Sequence, residues 1–295
     1  MAGSRVLRTA AVVAGAVGGL SSAAYGLLMA QSERARIVIG EPESPPFNAD
    51  GVYLPDGSGP HAPGVGANPL RFAVLGDSSA AGLGVDEAAQ VPGVLLAKAM
   101  AEEAGRAVLL TTYAISGATT PDLAGQVDLA LAQPPEVALV IVGANDVSEL
   151  LSIRESARLL GVQLSRLREG GAAVVMGTCP NLGTIRPIPQ PLRRLTGMWS
   201  LLLAGAQRRA VLRAECTPVV LAELLSPEFF ARPDDLFSAD RFHPNAAGYE
   251  AAAAILLAPL CVAAGVWTPR PESLAQPIPL RRSLPAVGRT SLAAG

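Results

Sequence analysis

Five short apolar runs constrain this chain more than anything else in it: residues 71–76, 108–114, 137–143, 172–178 and 217–222, each separated from the next by a segment long enough for a helix. Runs of nearly continuous Val, Ile, Leu and Ala have no polar face, so as strands they must be buried on both sides. The segment 153–168 puts Ile153, Ala157, Leu160, Leu164 and Leu167 on one helical face, and Gly170-Gly171 stops it. Helices are also expected at about 90–104, 119–132, 192–214 and 245–264. Strands and amphipathic helices in alternation imply a parallel sheet covered on both faces through right-handed crossovers. The expected fold class is therefore α/β: a three-layer α/β/α, doubly wound sandwich on a five-stranded parallel sheet, occupying residues 71–266.

The flanks read differently. Arg5 and Arg8 precede an uncharged stretch from Thr9 to Ala30, about the length of a membrane-crossing helix, although diluted by Ala, Gly and Ser. Residues 1–36 are read as a membrane-targeting leader, either a signal peptide or a retained anchor. Ser22 and Ala24 suit cleavage, whereas the apolar run continuing to Ala30 suits an anchor. The basic flank before the run keeps the N-terminus cytoplasmic and sends the rest outward, so an extracytoplasmic domain, anchored or secreted, is expected. Residues 37–70 are crowded with Pro and Gly and read as an extended linker containing His61, and 267–295 read as a disordered Pro-rich tail.

With half its residues apolar and 16% charged, the chain can bury a sizeable core. A formal charge of −2 supplies no basic field for a phosphate backbone, so no nucleic-acid partner is expected. Lys98 is the only lysine; the arginine, alanine and glycine bias reads as that of a GC-rich bacterial coding sequence. Cys179, Cys216 and Cys261 have no metal-ligand spacing, and buried thiols are expected over a Cys179–Cys216 disulfide. No metal and no cofactor are expected.

Chemistry gathers where the strands end. In an open α/β sheet, ligands bind beyond the carboxyl ends of the strands, at the point where strand order reverses. Gly76-Asp77-Ser78 follows the first run, Ser116-Gly117 the second, Gly143-Ala-Asn145-Asp146 the third, and Asp240-Arg-Phe-His243-Pro244 the fifth. A serine hydroxyl on a turn leaving a buried strand, an amide donor and a carboxylate–imidazole pair are the parts of an acyl-transfer site. Three residues of spacing let Asp240 reach the His243 ring across one turn, and Pro244 keeps His243 out of the helix that follows. Asp77 and Asp146 are expected to organise their turns. Ser116 could meet substrate or bond its own loop, and Phe229, Phe230 and Phe237 could wall an acyl pocket or pack the domain's end.

These four motifs, in this order, resemble those of the SGNH, or GDSL-type, hydrolase family. The resemblance implies a flavodoxin-like fold, Ser78 as nucleophile, His243 as base, Asp240 as its orienter, and an oxyanion hole from Ser78, Gly117 and Asn145. It implies a serine esterase acting on short- to medium-chain acyl esters or envelope lipid esters. An acyltransferase or a carbohydrate O-acetyl esterase could use the same groups, and a non-catalytic envelope-binding protein is the reading in which they stand idle. The expected partners are a small-molecule, lipid or glycan ester and, through the N-terminal segment, a membrane. Ser79 stands where many members have leucine, and the turn at Ser116-Gly117-Ala118 lacks a commonly following asparagine.

Overall fold

A computed structural model describes residues 22–35, 37–40 and 44–268. The five apolar runs form β2 (Leu70–Gly76), β3 (Val108–Thr112), β4 (Val137–Ile141), β5 (Ala173–Gly177) and β6 (Thr217–Val219), all mutually parallel. The sheet, however, has six strands. β1 (Gly51–Tyr53) pairs antiparallel with β3, giving the order β1-β3-β2-β4-β5-β6. The linker expected over 37–70 thus contributes an edge strand. Val52 exchanges backbone hydrogen bonds with His61 at 2.9 and 2.8 Å, and the Tyr53 hydroxyl donates to the Ala49 carbonyl at 2.6 Å. Pairing the free edge of β3 satisfies its outward amides. A strand of three residues is too short for its period to stand out among glycines and prolines.

The helices are α1 (residues 22–35), α2 (Ser78–Ala81), α3 (Pro92–Ala104), α4 (Leu123–Ala132), α5 (Ala144–Ser148), α6 (Ile153–Glu169), α7 (Leu192–Arg213), α8 (Leu221–Ala231), α9 (Pro233–Leu236) and α10 (Ala246–Ala263). Alternate residues of each strand face opposite layers. Phe72 and Val74 of β2, Leu139 of β4 and Val175 of β5 pack with Leu96 and Met100 of α3 and Leu256 and Leu260 of α10. Ala73 and Leu75, Val140 and Met176 turn the other way, onto Val127 of α4, Leu160, Leu164 and Leu167 of α6 and Val211 of α7. The expected three layers are therefore present. Burial of each α6 leucine contributes on the order of 2 kcal/mol. α10, although long and apolar enough to cross a membrane, is the core helix of the first layer.

Some boundaries differ from the expectation. The fifth run stops at Val219, because Leu221 already opens α8. Trp267, where the tail was to begin, donates its indole N–H to Glu103 at 3.1 Å; residues 269–295 lie outside the described residues. Of the leader, Arg5, Arg8 and the run up to residue 21 lie outside them as well. α1 meets the domain at its C-terminal end: Gln31 donates to the Gln190 carbonyl at 2.5 Å and accepts from the Leu192 N–H at 3.0 Å, and Ala35 is buried.

From β2 the chain crosses to β3 on one side, then returns to β4 on the other. The strand order reverses around β2, and the crevice lies beyond its carboxyl end.

Candidate active site

β2 ends in a glycine for a steric reason. Gly76 has φ +136°, and a Cβ there would fall 1.8 Å from the Ile141 carbonyl oxygen of β4. Asp77 follows, donating its N–H to that same oxygen at 3.0 Å and capping α2 with its carboxylate, which accepts from Ser79 N–H at 2.9 Å. Ser78 is then the first residue of α2, and first-turn amides have no partner within their own helix. Complete burial pushes the Asp77 carboxyl up to about 6, against the hydrogen bonds from Ser79 and Gly143.

The loop carrying the imidazole closes over this turn. His243 is 7% exposed, its Nε2 lies 3.0 Å from Ser78 Oγ, and its Nδ1 lies 2.6 Å from Asp240 Oδ2. The other carboxylate oxygen, Oδ1, accepts from the Ser238 hydroxyl at 2.7 Å, Phe242 N–H at 2.8 Å and His243 N–H at 2.9 Å. Half-burial pushes the Asp240 carboxyl upward, but the bonds from the His243 ring, Phe242, Ser238 and the His243 N–H outweigh it and hold the group at about 2. Asp240 is thus an anion, and it fixes the proton of a neutral imidazole on Nδ1, leaving Nε2 as acceptor toward serine. The Phe242 ring stands edge-on to the imidazole at 4.9 Å. Pro244 is followed by Asn245, which caps α10 by accepting from Gly248 N–H at 3.0 Å, so His243 stays in the loop as its spacing implied.

Asn145, in the first turn of α5, adjoins the loop after β3 that carries Gly117. The Asn145 amide donates to the Ala118 carbonyl at 2.9 Å, beside the turn at Gly117, which is exposed with φ +82°. That turn is tied to β2 by Ile115 N–H, which donates to the Gly76 carbonyl at 3.1 Å. Asp146 accepts from the N–H and the hydroxyl of Thr120 at 2.7 and 2.6 Å and so fastens α5 to the segment after β3. Asp77 and Asp146 organise turns, as expected. Ser116 is exposed, while His61 sits at the β1 edge of the sheet against Ser58, away from the site.

Several positioning groups were not singled out from the sequence. Gln126 of α4 clamps both backbone groups of Gly76, at 2.7 and 2.9 Å, and Gln207 of α7 bridges Cys179 N–H and the Val142 carbonyl at 2.7 and 2.9 Å. A glutamine on the apolar face of an expected helix was the available signal, since a buried amide needs partners. Tyr249 of α10 donates to the Leu83 carbonyl at 2.7 Å, tying the loop after α2 to the helix after His243. Gly84, at φ +103°, lets the two loops touch, because a Cβ there would lie 2.6 Å from the Pro244 carbonyl oxygen and 2.8 Å from His243 Cβ.

A small apolar cavity, about 80 Å³ in volume, opens beside Ser79 and Pro244, the residues after the serine and the histidine. Ile141, Leu221, Leu225, Phe229 and Leu256 line it. Phe229 both lines this cavity and packs edge-on against Phe237 at 5.0 Å. Phe230, by contrast, is exposed. Cys179, Cys216 and Cys261 are free buried thiols, and burial pushes each above the ordinary thiol range, Cys216 to about 11 and Cys261 to about 12.

Comparison with known proteins agrees with this fold. The family described as GDSL-like Lipase/Acylhydrolase matches residues 74–251, a span that contains all four motifs. A GDSL-like esterase of Mycobacterium tuberculosis is 44% identical over 254 residues, 84% of this chain and 81% of that protein. Among solved structures, the lipase/acylhydrolase from Enterococcus faecalis superposes with a TM-score of 0.52 at 20% identity, covering 68% of this chain and 99% of that one. The psychrotrophic esterase EstA from a Pseudoalteromonas species gives 0.51 at 18% identity, covering 67% and 98%. At these identities the two structures share a fold with this chain.

Proposed function

The chain belongs to the GDSL-like lipase/acylhydrolase, or SGNH hydrolase, family and is a hydrolase of ester bonds, and from that premise we propose that it works through an acyl-enzyme on Ser78. The observation that carries this reading is the unbroken hydrogen-bond series from Ser78 Oγ through the His243 ring to Asp240, with distances of 3.0 and 2.6 Å. Ser78 Oγ attacks the acyl carbon while its proton passes to His243 Nε2. The resulting oxyanion meets the N–H groups of Ser78 and Gly117 and the amide of Asn145. Collapse expels the alkoxide, which takes the proton back from Nε2. Water, deprotonated by the same nitrogen, then attacks the acyl-serine, and the acid leaves with Ser78 restored. Asp240 stays charged throughout and stabilises the imidazolium that forms in each half.

The substrates we assign are esters of short- to medium-chain acids. Support comes from the cavity beside Ser79, whose apolar lining offers no charged group to a bound acyl chain. We place the domain outside the cytoplasmic membrane, held or delivered by the apolar N-terminal run.

The test is turnover of p-nitrophenyl esters of increasing acyl length by the native chain, by Ser78→Ala and by His243→Ala, with folding checked by circular dichroism. Both variants should lose at least about 10³-fold in kcat/KM. A fluorophosphonate should add to the peptide containing Ser78 and to no other. Retained turnover in a folded Ser78→Ala, or labelling elsewhere, would sink the assignment.

A further inference from the structure

The chain carries an exposed helix face that neither its core nor its active site uses. α7 packs inward through Ser200, Leu203, Ala204, Gln207 and Val211. On the opposite side, Leu195, Met198, Trp199 and Leu202 are 45%, 54%, 38% and 61% exposed, at the spacing of adjacent turns. A helix apolar on both faces over this length has something to cover its outer one.

Charge says what that is. From residue 170 to residue 214 there is no Asp or Glu, while Arg186, Arg193, Arg194, Arg208, Arg209 and Arg213 all fall within the span. The ion pairs among the described residues use Arg71, Arg106, Arg158, Arg166, Arg168, Arg232 and His243, and none of these six. Arg186 and Arg193 instead donate to main-chain carbonyls, of Phe230 and Arg186 respectively. Exposed Phe230 therefore continues the patch beyond the helix. An apolar face carrying a tryptophan and flanked by arginines that enter none of these ion pairs is the make-up of a helix lying in the interface of an anionic bilayer.

Placement agrees. As the crossover from β5 to β6, α7 begins at the carboxyl rim of the sheet, the rim that carries Ser78 and His243. At that same end α1 is hydrogen-bonded through Gln31 to Gln190 and Leu192. Upstream of Gln31 lies the run from Thr9 to Ala30, with Tyr25, Leu27 and Met29 exposed. The segment read as entering a membrane thus joins the domain where the arginine-flanked apolar face starts.

We propose that the outer face of α7, with Arg186, Arg193, Arg194 and Phe230, docks flat on an anionic lipid bilayer, so that the catalytic rim is held at the membrane surface. The docking rests on the N-terminal run entering the bilayer, and the test separates the two. The full chain is reconstituted into phosphatidylcholine vesicles with or without phosphatidylglycerol, part of the lipid being brominated. Flotation reports the anchor, and quenching of Trp199 reports docking. The chain has two tryptophans, so Trp267→Phe isolates Trp199, and Trp199→Phe leaves Trp267, held against α3 in the other layer, as the control.

Trp199 should be quenched in anionic vesicles, far less in neutral ones, and Trp267 in neither. Because each arginine near an anionic surface contributes on the order of fivefold, Arg193→Ser with Arg194→Ser should shift the docked ratio by at least about tenfold. Flotation without quenching of Trp199 overturns the docking face and leaves the anchor standing. Failure to float removes both. Trp199 shielded from brominated lipid but cross-linked to a second copy assigns the face to self-association and overturns the proposal too. Circular dichroism of each variant excludes misfolding as the cause.

Discussion

Asp240→Asn separates the two tasks of one carboxylate, because its oxygens have different partners. Oδ1 accepts from Ser238, Phe242 and the His243 N–H, whereas Oδ2 meets only the His243 ring. An asparagine keeps the first three bonds only with its oxygen in the Oδ1 place, since turning it over would aim an NH2 at three donors. Its NH2 must then face Nδ1. The imidazole answers by accepting there and carrying its proton on Nε2, 3.0 Å from Ser78 Oγ, where it cannot act as base. Recovering the productive tautomer breaks that bond and leaves two donors facing each other, at about 2–4 kcal/mol. The imidazolium formed during attack also loses its anionic partner, a charge-assisted hydrogen bond of a kind worth about 2 kcal/mol. Together these give about 4–6 kcal/mol, or 10³- to 10⁴-fold in kcat/KM. The assay is p-nitrophenyl acetate hydrolysis near neutral pH, with thermal unfolding followed in parallel. Asp240→Ala, which also forfeits the three turn bonds, should unfold at lower temperature than Asp240→Asn. Activity of folded Asp240→Asn within about tenfold of the native chain, alongside an inactive Ser78→Ala, would refute the tautomer argument.

Asn145→Ala should lower kcat by about 10²- to 10³-fold with a much smaller effect on KM, because the donor acts on the oxyanion; equal changes in both constants would move Asn145 to ground-state binding. Leu225→Trp, which fills the cavity beside Ser79, should lower kcat/KM for hexanoyl over acetyl esters by about tenfold or more, and an unchanged chain-length profile would show that acyl groups lie elsewhere. The Asp77 carboxyl, raised by burial to about 6, keeps its proton in the folded chain where the unfolded chain has lost it. Its stabilising contribution is therefore full below about pH 4 and is lost as pH rises through 6, a change on the order of 3 kcal/mol. Urea unfolding between those pH values should show a slope that Asp77→Asn flattens; the same slope in the variant would assign it to another group.

Ser78, Asp240 and His243 were readable in the sequence because the fold needs little help to gather them. Parallel strands send successive carboxyl ends to one rim, so a motif that follows an apolar run is placed by the run itself. Asp240 and His243 are joined by a single turn, a local fact that spacing records. The groups that set the angles were not readable. Gln126, Gln207, Tyr249 and Gly84 act on chain segments 28 to 166 residues away, through contacts that leave no periodic trace. β1 escaped for the opposite reason: three residues pair with an edge that exists only once the sheet has formed.

The layers, the parallel sheet and the residues that gather at its carboxyl rim follow from the chain as written, since hydrophobic period and motif order are properties of the sequence. Packing alone sets which face of α7 is left uncovered, where the apolar cavity beside Ser79 opens, and that one oxygen of Asp240 holds the loop while the other holds the histidine. Such features depend on which atoms meet across long separations, and burial, steric fit and hydrogen-bond direction take their values only when the segments are packed together.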